Sequence, residues 1–189
     1  CGNTEMGREL YQWRTALPPI VRYNTQLSVA DYFGRTMAES QPDKKIGLVP
    51  VAVGGSSIKQ FFKEYDGSDL GNYADWFRTA MSKYNNNMYS RLVDCAKRAQ
   101  EKGVIKGIIM HQGEANNGDT NWPNDVKKVY NDLLADLGLN AEDVPLIAGE
   151  VVYTEAGGGA GGHNTIINSL PTIIPTAHVV SAARLTQKG

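Results

Sequence analysis

Gly107-Ile108-Ile109-Met110-His111-Gln112-Gly113-Glu114-Ala115-Asn116 is the stretch whose reading decides the fold. Its first half is a short apolar run with the look of a buried strand, and it breaks abruptly into a cluster of polar side chains. Burying an unpaired amide or carboxylate costs on the order of several kcal/mol, so these groups need partners or a ligand. Ligands of open α/β sheets bind in the crevice outside the carboxyl ends of the strands. A polar burst at a strand end is therefore a candidate site on physical grounds alone.

Outward from that stretch, four β-rich runs alternate with helical patterns: 46–53, 104–110, 144–152 and 177–182. The alternation predicts βαβ units and a mainly parallel sheet. Each run is nearly continuous in apolar residues, as expected of strands covered on both faces. Ser28-Val29-Ala30-Asp31 reads as a capping box that opens a helix extending to about Ser40. From Met88, the apolar residues Leu92, Cys95, Ala96 and Ala99 recur at helical spacing until Gly103. A further helix starts at Pro123, carries the stripe Val126, Val129, Tyr130, Leu133, Leu134 and Leu137, and stops at Gly138. A shorter one follows His163. The segment 61–87 is long, aromatic and polar, and reads either as a lid or binding loop or as a partly helical surface insertion.

The chain of 189 residues fits one domain with a proper core. Its 19 Lys and Arg nearly balance 20 Asp and Glu, so no basic patch argues for nucleic acid or an anionic membrane. No apolar stretch approaches the ~18 residues that a membrane-spanning helix requires. Two cysteines and three histidines are too few for a disulfide framework or a dedicated metal centre. Cys95 reads as a small buried hydrophobe on its helix, and Cys1-Gly2-Asn3 as a possible processed lipoprotein start.

Three motifs carry chemistry. Val53-Gly54-Gly55-Ser56-Ser57 lets backbone N–H groups approach a ligand, because glycine has no Cβ in the way, and it is equally an ordinary tight turn. Such donors can stabilise the oxyanion of acyl transfer. In the opening motif, Gln112 can donate its amide to the same oxyanion, and Glu114 can order the loop or bind substrate hydroxyls. His111 is a catalytic candidate or simply a satisfied core histidine. The run Gly157-Gly158-Gly159-Ala160-Gly161-Gly162 formally fits G-x-G-x-x-G. It begins several residues after its strand, and no Asp or Glu follows Glu155 to bind a ribose, so it reads as a flexible glycine loop rather than an NAD site.

Taken together, Trp13-Arg14-Thr15-Ala16-Leu17-Pro18-Pro19, Ala30-Asp31-Tyr32-Phe33-Gly34-Arg35, Val53-Gly54-Gly55-Ser56, His111-Gln112-Gly113-Glu114 and Gly149-Glu150-Val151-Val152 follow an order that resembles the sialate O-acetylesterase-like branch of the SGNH hydrolases. The resemblance implies an α/β fold, a three-layer α/β/α flavodoxin-like domain over residues 1–189. It implies removal of acetyl groups from sugars such as xylan or sialic acid, with neither metal nor organic cofactor. Gly54 or Gly55 would give a backbone oxyanion donor and Gln112 the side-chain donor, while Ser56, His111, Glu114 and Asn116 would line the acetylated carbohydrate.

The family's nucleophile lies in a Gly-Gln-Ser-Asn block and its acid–base pair in an Asp-x-x-His block. Neither occurs among these residues. The resemblance thus implies that the chain starts after the first strand and stops before the C-terminal end of the domain, carrying the oxyanion hole without the triad. Two other readings stand beside a serine O-acetylesterase. One is a non-catalytic carbohydrate-binding relic of the same fold. The other is a self-contained hydrolase that pairs Ser56 or Ser57 with His111 or His163, which requires a hydroxyl and an imidazole within ~3 Å of each other.

Overall fold

The structure is a computed structural model that describes residues 7–21 and 27–186. Cys1, read above as a lipoprotein start, lies outside the described residues. Contacts group the chain into two compact units, Cys1–Ala52 with Asp94–Val104, and Val53–Val93 with Ile105–Gly189.

In the first unit, helix α1 (Val29–Ser40) opens as its sequence predicts. The Asp31 carboxylate accepts hydrogen bonds from the Ser28 N–H and the Ser28 hydroxyl, both at 2.7 Å. A Cβ at Gly34 would lie 2.7 Å from Leu48 Cδ1, so a larger residue there requires the Leu48 side chain to shift. The Arg8 guanidinium gathers the carbonyls of Leu17, Pro19 and Ile20.

The segment 46–53 is not a strand, contrary to its apolar composition. A strand exists only by virtue of ladder bonds to a neighbour. No strand pairing of 46–53 is present among the described residues, Pro50 has no N–H to give, and of these residues only Val53 is buried.

The second unit carries the sheet. Helix α2 (Asp75–Ser82), together with one-turn 3₁₀ segments at Ile58–Phe61 and Leu70–Asn72, converts most of the aromatic stretch into compact structure. That stretch is the helical insertion rather than an open loop, and it has its own core of Val53, Leu70, Phe77, Ala80, Met81 and Met88. Helix α3 (Met88–Gln100) begins in this unit, and its residues from Asp94 onward are grouped with the first. Cys95 on α3 is buried, as its reading as a small hydrophobe predicts, and it is also disulfide-bonded; helical periodicity reports burial and says nothing about covalent pairing.

Strand β1 (Ile108–Met110), helix α4 (Trp122–Leu137), strand β2 (Leu146–Gly149), the short helices α5 (Asn164–Ile167) and α6 (Leu170–Ile173), and strand β3 (Ala177–Val180) complete the unit. The sheet is parallel in the order β1-β2-β3, with Ile108 opposite Leu146 and Leu146 opposite Ala177. Three of the four predicted runs are therefore strands, and the α/β class holds.

Parallel strands need crossover helices, and α4 provides the first crossover. Its stripe of Val126, Val129, Tyr130, Leu133 and Leu134 is buried against Leu146, Ala148 and Ala177 on one face of the sheet. Gly138 ends α4 in a left-handed conformation, φ 63° and ψ 41°, where its N–H caps the last turn. The opposite sheet face within this unit is less covered than the apolar runs suggest, since His178 and Val180 are exposed. Continuous apolar composition does not distinguish a central strand from an edge one.

Candidate functional site

Strand β1 ends at Met110, and the next residues turn directly into a 3₁₀ segment, Glu114–Asn116. Gly113 is the pivot. An ideal Cβ there would lie 2.9 Å from His163 Cδ2 and 3.3 Å from both Ile167 Cδ1 and Val151 Cγ1, so the chain passes only as glycine. Gly149, at the end of β2, lies close to His111, whose Cδ2 would sit 3.2 Å from a Cβ and would need to give only slightly.

The two strand-end motifs, remote in sequence, meet in space. Gln112 Nε2 donates to the Ser56 carbonyl at 3.0 Å and to Asn116 Oδ1 at 2.8 Å. Asn116 Oδ1 also accepts from the Ile58 N–H at 2.9 Å, while Asn116 Nδ2 donates to Asp119 Oδ2 at 3.2 Å. Gln112 Oε1 accepts from the Trp122 indole N–H. That last bond fixes the orientation of the amide, because a flipped amide would set donor against donor.

These bonds divide the predicted site residues into two groups. Ser56, Gln112 and Asn116 form the frame. Ser56 is buried, and its hydroxyl donates to the Val53 carbonyl at 2.6 Å, locking the turn. Gln112 has both amide hydrogens engaged within the protein. Asn116 is buried, with its carbonyl oxygen doubly used. Expected as substrate contacts or an oxyanion donor, these side chains instead tie the 53–58 turn to the end of β1.

The other group stands at the surface. Gly54 and Gly55 are exposed, Gly55 has φ +76°, and among the described residues no acceptor pairs with the N–H of either. His111 and Glu114 are also exposed. His111 is thus not a core histidine.

Neither candidate serine is paired with an imidazole. The hydroxyl of Ser57 accepts from the Lys59 N–H at 3.4 Å, as a cap of the Ile58–Phe61 turn. His163 is fully buried, and among the described residues neither of its ring nitrogens has a partner. The self-contained hydrolase of Ser56 or Ser57 with His111 or His163 therefore has no geometric support.

Sequence reasoning missed two contributors. Trp122 was legible only as the residue before a helix-starting proline, yet its indole both anchors Gln112 and meets the His163 ring edge-on, with centroids 5.1 Å apart. Glu150, buried beyond β2, accepts from the Tyr153 hydroxyl, Asn168 Nδ2, the Ser181 hydroxyl and the Ala182 N–H, at 2.5–3.1 Å. Burial alone would raise its pKa, but these four donors outweigh it and hold the carboxyl below its usual range. Trp76, by contrast, belongs to the aromatic segment 61–87 that the sequence already singled out, and its Cη2 lies 3.8 Å from where a Cβ on Gly55 would be.

The burial of His163 yields a pH prediction. Desolvation lowers its pKa below the ordinary value, opposed by the Asp119 and Glu114 carboxylates. The unfolded chain takes up a proton near pH ~6.5, whereas the folded state does so only at lower pH. The stability contribution is therefore complete above that value and falls as the pH drops through the window beneath it. Glu150, with its lowered pKa, acts in a separate window, below the ordinary carboxyl range. Thermal melts at pH 7.5 and pH ~5.5 should show the loss, and His163→Phe should flatten the dependence in that window; an unchanged slope in the variant counts against this assignment.

The solved structure of a protein from Arabidopsis thaliana shares the fold, with a TM-score of 0.59 at 20% identity over 82% of this chain. The present chain spans 56% of that structure's length. The family model described as "carbohydrate esterase, sialic acid-specific acetylesterase" matches residues 6–189. With both strand-end motifs inside that match, the chain belongs to the carbohydrate esterase, sialic acid-specific acetylesterase family.

Proposed function

We propose that these residues form the ester-binding and oxyanion-stabilising part of a carbohydrate O-acetylesterase. The observation that carries this reading is the joined pair of motifs: an exposed glycine turn with free N–H groups, bolted through Gln112 and Asn116 to the polar end of β1. Preorganised backbone donors act where charge develops, and no reorganisation is needed at the moment of reaction. In this assignment the Gly54 and Gly55 N–H groups receive the acetyl oxyanion, and Gln112 is a positioning residue that holds them. His111 and Glu114 face the sugar. Attack belongs to a serine–histidine–aspartate set of the family type, whose Gly-Gln-Ser-Asn and Asp-x-x-His blocks do not occur in this sequence.

The test is acetate release from O-acetylated sialic acid and from acetylxylan, measured on the protein at its natural length. Release is expected, and Gln112→Glu should lower kcat about 10²-fold. The variant keeps an acceptor for the Trp122 indole but has no N–H for Ser56 or Asn116. The absence of any serine–histidine pair among the described residues favours one other reading, a non-catalytic carbohydrate-binding relic. Sugar binding with no acetate released would establish that reading in place of the esterase.

A further inference from the structure

We infer that Trp76 is a stacking platform for a neutral pyranose ring, set beside the Gly54-Gly55 turn so that an ester on that ring reaches the free N–H groups. Trp76 is 56% exposed although its neighbour Phe77 is 2% exposed. Exposure alone means little, because isolated apolar side chains are common on protein surfaces. Trp13 and Tyr32 are comparably exposed.

What separates Trp76 is its setting. Its Cη2 lies 3.8 Å from the position of a Cβ on Gly55, while a Cβ on Gly54 would meet nothing within 4 Å. An aromatic surface and open donors therefore share one patch of the same unit. The indole is also held in place: it meets the Phe77 ring edge-on at 5.7 Å and 84°, and Phe77 stacks on Tyr73 at 4.6 Å and 21°. Arg78 pairs with Asp75 and donates to the Tyr73 carbonyl, bracing the start of α2. An aromatic face is electronegative and prefers polarised C–H groups. A pyranose presents such a C–H face while its hydroxyls stay in water, which fits a half-exposed indole better than a ligand requiring full burial.

The proposal rests on the esterase reading for the role of the N–H groups, but the platform can be tested without turnover. Xylotetraose, which carries no ester, is titrated into protein labelled with ¹⁵N at the tryptophan indoles. The Trp76 resonance is identified by its absence in Trp76→Phe. We expect that resonance to move to saturation, and Trp76→Ala to weaken Kd about tenfold while Trp76→Phe retains most of the binding. In the natural-length protein, Trp76→Ala should raise KM for acetylated xylo-oligosaccharides similarly, a loss several-fold larger than any it causes on ethyl acetate. An unmoved Trp76 resonance, or an unchanged Kd in Trp76→Ala, overturns the platform; so does an equal loss on ethyl acetate, which would mean a disturbed turn. Xylotetraose binding through Trp76 without any acetate release would sink the esterase reading and leave the platform standing.

Discussion

Replacing Trp122 with Ala is expected to destabilise the protein by about 3–5 kcal/mol, the usual range for removing a buried large aromatic side chain. The indole is 0% exposed, belongs to the main core with Val126, Leu146 and Ile167, and packs against His163. Its loss also removes the donor that orients Gln112. Two effects are thus combined, and Trp122→Phe separates them. Phe refills most of the volume but offers no N–H, so it leaves the Gln112 carbonyl without its partner, at about 1–3 kcal/mol. Urea unfolding of the three proteins should rank them wild type, then Phe, then Ala. Under the esterase assignment, Trp122→Phe should lose more activity than its stability loss explains, because a freed Gln112 amide no longer fixes the glycine turn. Equal stabilities for Phe and wild type would show that the indole N–H contributes nothing to the frame.

The dual role of Trp122 illustrates where the sequence is legible and where it is not. Elements with a strong local signal were readable: the Ser28–Asp31 cap, the α4 stripe and its Gly138 stop, and three of four apolar runs. Each is decided within a few residues by period and capping. The segment 46–53 was not readable, since strand formation depends on a partner elsewhere in the chain. For 61–87 the sequence left a binding loop and a partly helical insertion both open, because the packing that decides between them, Phe77 and Met81 inward and Trp76 outward, follows from a small local core.

At the site, the residue types and their location were legible, but their division of labour was not. A buried polar side chain at a strand end is equally consistent with binding a ligand and with binding the protein. Ser56, Gln112 and Asn116 proved to bind the protein, and only coordinates could assign their hydrogen bonds.

Gly158→Ala and Gly161→Ala are expected to be severely destabilising, while Gly159→Ala and Gly162→Ala are expected to be nearly neutral. All four residues belong to the run that composition alone presents as one flexible, nucleotide-like loop. A Cβ on Gly158 would lie 1.9 Å from the Val152 carbonyl oxygen and 2.5 Å from its carbon; one on Gly161 would lie 2.4 Å from the Thr154 N. These neighbours are backbone atoms, so no rotamer change relieves the overlap, and the loop must move away from the end of β2. The cost should reach or exceed the ~1–3 kcal/mol typical of overpacking. Gly159 and Gly162 have nothing within 4 Å, and Ala there restricts the unfolded chain, with an effect of about 0.4–1 kcal/mol in favour of folding where φ and ψ permit. The same loop delivers His163 against Gly113 and Trp122, so its displacement should also lower activity in the natural-length protein. Melting temperatures of the four single variants decide the matter. A split into two damaging and two silent positions identifies the glycines as a packing requirement of the loop on the exit of β2. A uniform response would mean that close backbone approach does not explain them, and that the loop's glycines serve flexibility, as their composition first suggested.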